Sequence, residues 1–122
     1  DGGTLECYEP DPKYHREGTQ LRHVLEKAEN EVRGLKAVLH GTLLDFGNTT
    51  SNSIDVFASS HVVEHMADPC LFTSGLYRAL KPGGIVFTEV PHQYKFPEKG
   101  KTRGSLHLLY FNLDSFKNMM TR

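Results

Sequence analysis

Three places in the chain gather side chains that can hold or move a proton. Glu9 stands just before Pro10-Asp11-Pro12, directly after a short apolar-leaning stretch, residues 4–8. His61, Glu64 and His65 form H-x-x-E-H immediately after an apolar run, and His92 follows Pro91 at the end of another. Each place suggests different chemistry. In an open α/β sheet ligands bind outside the carboxyl ends of the strands, and an acid there can accept hydrogen bonds from ribose hydroxyls. Glu9 occupies such a place, against the plainer reading of a solvated turn carboxylate. H-x-x-E-H is also the spacing of an inverted zinc-peptidase motif. That chemistry requires both imidazoles on one face of a long helix, plus a third ligand. Asp68-Pro69 opens a new helix only three residues later, so barely one turn fits and the spacing argues against zinc. A neutral imidazole at His92 could take a proton from a substrate hydroxyl, or could simply be a surface histidine.

The elements that must hold these residues follow from periodicity. Residues 54–59 are apolar and rich in strand formers. Asp68 is a favoured helix cap and Pro69 fits the first helical position without penalty. Leu71, Phe72, Leu76, Ala79 and Leu80 recur at helical spacing, which predicts one apolar face. Pro82-Gly83-Gly84 is expected to end that helix, and residues 85–90 read as the next strand. Strand–helix–strand with a short stop is a parallel crossover unit. Upstream, residues 19–33 predict an amphipathic helix with Leu21, Val24, Leu25, Ala28 and Val32 on one stripe. A Glu29–Arg33 pair lies on its wet face. Residues 37–44 predict a strand and its exit, and residues 47–53 a loop. Asn112 is expected to cap a last helix with Leu113, Phe116 and Met120 facing inwards.

Bulk properties set outer limits. The chain has 122 residues, room for one domain with a modest core. Charged residues make up 24% and the net charge is −1, so no global field draws it to nucleic acid or an anionic membrane. Two cysteines at no metal-ligand spacing read as free thiols in a reducing compartment. No apolar run approaches the roughly 20 residues of a membrane span, and the start lacks a signal-peptide pattern; the expectation is cytoplasmic.

The segment IDVFASSHVVEHMADP, followed by LYRALKPGG and a strand ending EVPH, resembles the second half of a class I S-adenosylmethionine-dependent methyltransferase. The resemblance implies a Rossmann-like three-layer αβα parallel sheet in this α/β chain. It is truncated to the second to fifth strands: the glycine-rich first strand–loop–helix unit and the last strands have no counterpart in residues 1–122. It implies S-adenosyl-L-methionine as cofactor. Glu9 would hold its ribose, Thr42, Leu43 and Asp45 would form a candidate group around its adenine, and Ser59, Ser60 and His61 would meet its methionine end. Glu64 and His65 would then be a buried polar pair bracing the loop, and Asp55 a structural acid. His92 is the candidate proton acceptor. The acceptor would be a small molecule, and the lysines and arginine of residues 93–105 would suit an anionic one. His107 and Tyr110 would run past the acceptor site.

Two kinds of function are consistent with these residues. One is methyl transfer, which depends on positioning more than on covalent chemistry. The other is a non-catalytic methyltransferase-like module with weak or no cofactor binding, favoured by the lack of a glycine-rich loop. A nicotinamide-binding sheet would share the ribose acid but also require that loop. Without a first strand, the flanking strands would expose edges, to be closed either within a monomer or through sheet edges in a homodimer.

Overall fold

The computed structural model describes residues 3–92 and 111–121. The chain divides into two compact units, residues 1–45 and 46–122. Each contains a strand, a helix and a second strand, and the second unit a further helix.

In the first unit, β1 (Gly3–Tyr8) pairs in parallel with β2 (Leu35–His40), from Gly3 opposite Leu35 to Tyr8 opposite His40. Between them a 3-10 turn (Pro12–His15) leads into α1 (Gln20–Glu31). Thr19 caps α1 through its side chain, which accepts from the Arg22 N–H, satisfying one of the donors a helix start leaves open. Of the predicted apolar stripe only Leu25 is buried, and Val24 and Val32 are largely exposed. Glu29 does not pair with Arg33. Its carboxylate accepts from the backbone N–H of Ala37 at 2.6 Å, because β2 runs close to the helix end. Strand β2 stops at His40, earlier than the sequence suggests, where Gly41 and Thr42 bend the chain.

In the second unit, β3 (Ile54–Ser60) pairs in parallel with β4 (Leu80–Glu89) around α2 (Pro69–Ala79). The Asp68 side chain accepts from both Cys70 and Leu71 backbone N–H groups, and Pro69 removes a donor that would otherwise need a partner. Phe72, Leu76 and Ala79 are buried. Leu71, predicted on the same face, is exposed, since a helix turns about 100° per residue and Phe72 takes the inward position. Phe46, Phe57 and Phe72 meet in a triangle of rings 5.7–6.0 Å apart. Each such side chain stabilises by about 1.5–3 kcal/mol when fully buried. The Arg78 guanidinium donates to the carbonyls of Phe46 and Thr49 and to Ser51 Oγ, tying the segment before β3 to α2. Helix α3 (Leu113–Met120) carries a capping box in which Asn112 and Ser115 exchange hydrogen bonds. Leu113 is exposed, not inward-facing.

Pro82-Gly83-Gly84 does not end α2. The helix stops at Ala79, with Leu80 already extended (φ −66°, ψ 140°). The register moves from Ile54–Leu80 to Val56–Ile85, so β3 advances two residues while β4 advances five. The proline and glycines form a bulge in the strand. Gly83 has φ +81°, and a Cβ on Gly84 would lie 2.9 Å from the Lys81 carbonyl oxygen. The bulge is bridged at the surface by Lys81, whose ammonium contacts Asp55 at 2.8 Å. Among the described residues, no helix is long and apolar enough to cross a membrane.

Candidate functional site

Glu9 follows β1 directly. Its backbone N–H donates to the His40 carbonyl, one step beyond the ladder, which holds it at the carboxyl end of both strands. One carboxylate oxygen accepts from the Asp11 N–H at 2.9 Å. A carboxylate offers about four acceptor positions, so capacity remains for a pair of hydroxyls. A ring nitrogen of His15 lies against the Glu9 carbonyl, fastening the 3-10 turn over the strand end. Glu9, Tyr14, Thr19 and Leu21 line an open cleft of about 610 Å³. Lys13 stands 4.8 Å over the Tyr14 ring and pairs with Asp11. A hydrogen bond from the Lys13 backbone, then the Lys13 side chain, holds the Asp11 carboxyl below its usual range. Burial, followed by the charge of Glu9, pushes the Cys7 thiol up. Thr42, Leu43 and Asp45 sit in the bend and coil beyond β2, all exposed. None of the hydrogen bonds described joins these three to Glu9.

The second unit's strand ends hold the denser group. Ser59 faces Thr88 and Ser60 faces Glu89 in the ladder. The Ser59 and Thr88 hydroxyls are 3.4 Å apart, and Ser60 Oγ donates to Glu89 Oε2 at 3.1 Å. His61 then leaves the strand. Its N–H donates to the Glu89 carbonyl, and its φ is +53°. That is the left-handed region, which costs a non-glycine residue of order 1 kcal/mol or more. The turn brings the chain into a short 3-10 helix (Val63–His65) in which Val63 and Glu64 are both buried, Glu64 at 1% exposure. The Glu64 carboxylate faces two imidazoles with one oxygen: Oε1 lies 3.4 Å from His61 Nδ1 and 3.8 Å from His65 Nε2. The other side of the His61 ring, Nε2, is 3.8 Å from Glu89 Oε1. The His61 side chain is itself 57% exposed.

The structure therefore gathers Ser59, Ser60, His61, Glu64 and His65 at one edge. It adds Thr88 and Glu89, which the sequence reading did not single out. Their signal was the equal distance of the two strand ends from the aligned apolar runs. Glu64 is buried and His65 is exposed, so the pair is not the fully buried one that the sequence suggests, although the two side chains face each other at 3.8 Å. His92 is exposed and forms an isolated parallel bridge with Phe111. His107, Tyr110 and residues 93–105 lie outside the described residues. Among the described residues, no group of three or more histidines, cysteines or acids is arranged to hold a metal ion.

A parallel β–α–β unit with polar side chains gathered at its carboxyl edge is the arrangement of a ligand-binding α/β domain. Residues 18–88 match the family model of the methyltransferase domain, and the chain belongs to that family. Among similar curated proteins is an S-adenosylmethionine-dependent methyltransferase, named as probable, of Mycolicibacterium smegmatis. It is 32% identical over 59 residues, covering 48% of this chain and 23% of that protein. A ubiquinone biosynthesis O-methyltransferase of Cereibacter sphaeroides is 36% identical over 62 residues, covering 45% and 25%. An uncharacterized methyltransferase of Mycolicibacterium vanbaalenii is 36% identical over 77 residues, covering 63% and 26%. The chain thus spans about a quarter of the length of these relatives. No solved structure gives a significant match.

Proposed function

We propose that this chain carries cofactor- and acceptor-binding parts of an S-adenosyl-L-methionine-dependent methyltransferase acting on a small molecule. The observation that carries the reading is the carboxyl edge of β3 and β4. There Ser59 and Ser60 end a strand and His61 follows it, inside the segment matched by the methyltransferase-domain family. Glu9 fits the ribose, being fixed at a strand end by its backbone while its carboxylate borders an open cleft. Ser59–His61 fit the amino-acid end, with small side chains and backbone at a turn. Thr42, Leu43 and Asp45 are the adenine group in this reading, and His92 stands on the acceptor side. The cofactor supplies an electrophilic methyl group; the chain supplies position and a place for the acceptor's proton. A parallel β–α–β unit, which each half of the chain forms by itself, is the repeat from which a three-layer αβα fold is built. Two free thiols, Cys7 and Cys70, support a reducing, cytoplasmic setting.

The test is calorimetric titration of the chain with S-adenosylhomocysteine. Saturable binding, competed by S-adenosylmethionine, is expected. No binding at millimolar ligand, on the order of the weakest specific affinities, would instead favour a non-catalytic module.

A further inference from the structure

We infer that His61 is the group that takes the acceptor's proton, that Glu64 positions it, and that the methyl acceptor is accordingly a compound that gives up a proton on methylation. This rests on the cofactor reading above and deepens it.

Three observations converge on His61. First, it follows β3 directly, in the segment proposed to meet the methionine end of the cofactor, the end that carries the transferable methyl. An acceptor attacking in line lies on the far side of that methyl from the sulfur. Second, the ring is placed by the backbone. A left-handed φ of +53° and the N–H bond to the Glu89 carbonyl set where the side chain leaves the strand. Third, a buried acid stands behind one ring nitrogen, while the other lies on the exposed side, 3.8 Å from the exposed Glu89 carboxylate. Glu64 Oε1 is 3.4 Å from Nδ1, and the imidazole remains 57% exposed. A carboxylate at that distance favours a proton on Nδ1 over a lone pair. The lone pair then resides on Nε2, and the imidazole is oriented as a base. The same logic orients a histidine by an acid in other proton-transfer sites. Among the described residues, His65, with Nε2 3.8 Å from the same oxygen, and Glu89, with Oε1 3.8 Å from His61 Nε2, also face this cluster.

In the step this geometry serves, written for a hydroxyl acceptor, a lone pair on the acceptor oxygen forms the new O–CH3 bond. The S–CH3 bond breaks and its electron pair stays on sulfur, which becomes a neutral thioether. The acceptor's O–H proton passes to His61 Nε2, giving an imidazolium between Glu64 and Glu89. A base is required by an acceptor that arrives with its proton, which a carboxylate or thioether acceptor does not.

Histidine-ring nitrogen NMR on the full chain tests this at about pH 8.5, well above the ordinary histidine range. His61 is assigned by His61→Gln. The expected wild-type spectrum shows the proton of His61 on Nδ1 and a bare Nε2. Glu64→Gln is expected to return His61 to the Nε2–H form that prevails in free histidine. A wild-type His61 already in the Nε2–H form overturns the inference, whether or not the variant folds. A folded Glu64→Gln with an unchanged tautomer removes Glu64 from the positioning role. Adding S-adenosylhomocysteine is expected to move the Nε2 resonance. Calorimetric binding that leaves this resonance in place overturns the base assignment and spares the cofactor reading. No binding overturns both.

Discussion

Gly75 and Phe46 touch so closely that a Cβ on Gly75 would lie 2.6 Å from the Phe46 Cβ. Glycine inside a helix costs about 0.5–1 kcal/mol relative to alanine. Here it lets α2 lie flat against the aromatic triangle of Phe46, Phe57 and Phe72. Gly75→Ala is therefore expected to destabilise the second unit by about 1–3 kcal/mol, the cost of overpacking, despite its better helix propensity. Urea unfolding measures it; a stabilised variant would refute the packing argument.

Asp68 offers a cleaner test of local structure. Its carboxylate holds two backbone N–H groups, at 2.9 Å and 3.1 Å. Asp68→Ala is expected to cost about 0.5–2 kcal/mol, and Asp68→Asn much less. Equal losses in both variants would mean that charge, not capping, is what α2 needs.

Much of this was legible in the sequence. The Asp68-Pro69 start, the parallel strands on either side of α2 and the positions of Glu9 and His61 at strand ends all follow from local rules of capping and periodicity. The rest depends on register, which no single segment encodes. Leu-Lys-Pro-Gly-Gly reads as a helix stop, yet it is a bulge, because five residues of β4 must match two of β3. Leu71 looks as apolar as Phe72, but only one of two neighbours on a helix can point inwards. Glu89 enters the site through its cross-strand partner Ser60 and through the left-handed turn at His61. Neither is visible until the strands are paired.

The two cysteines separate by reactivity. Cys70 is exposed, whereas Cys7 is half-buried. Burial and the charge of Glu9 push the Cys7 thiol up. Its neutral form is favoured by the fold, so that contribution to stability is present below the ordinary thiol range and is lost as pH rises through the raised value. Iodoacetamide at about pH 8, near the ordinary thiol pKa, is expected to label Cys70 first and Cys7 several-fold more slowly. Glu9→Gln should speed Cys7, by removing one of the two causes. Peptide mass spectrometry reads both rates, and faster labelling of Cys7 in the wild type contradicts the assignment.

Glu9 carries the quantitative part of the ribose proposal. Glu9→Ala is expected to weaken S-adenosylhomocysteine binding by about 1–3 kcal/mol, the size of a lost charged hydrogen bond. Because Glu9 Oε1 also accepts from Asp11, Glu9→Gln separates the roles: it keeps that bond and should still weaken binding. Unchanged affinity in both variants would take Glu9 out of the site.

The most direct measurement is an amide chemical-shift map of the nitrogen-15-labelled chain titrated with S-adenosylhomocysteine. The account predicts saturable shifts at Glu9 and at Ser59, Ser60 and His61, with one shared binding curve. Shifts confined to the opposite strand ends, around Asn52, Arg78 and Gly83, or no shifts at all, would contradict it.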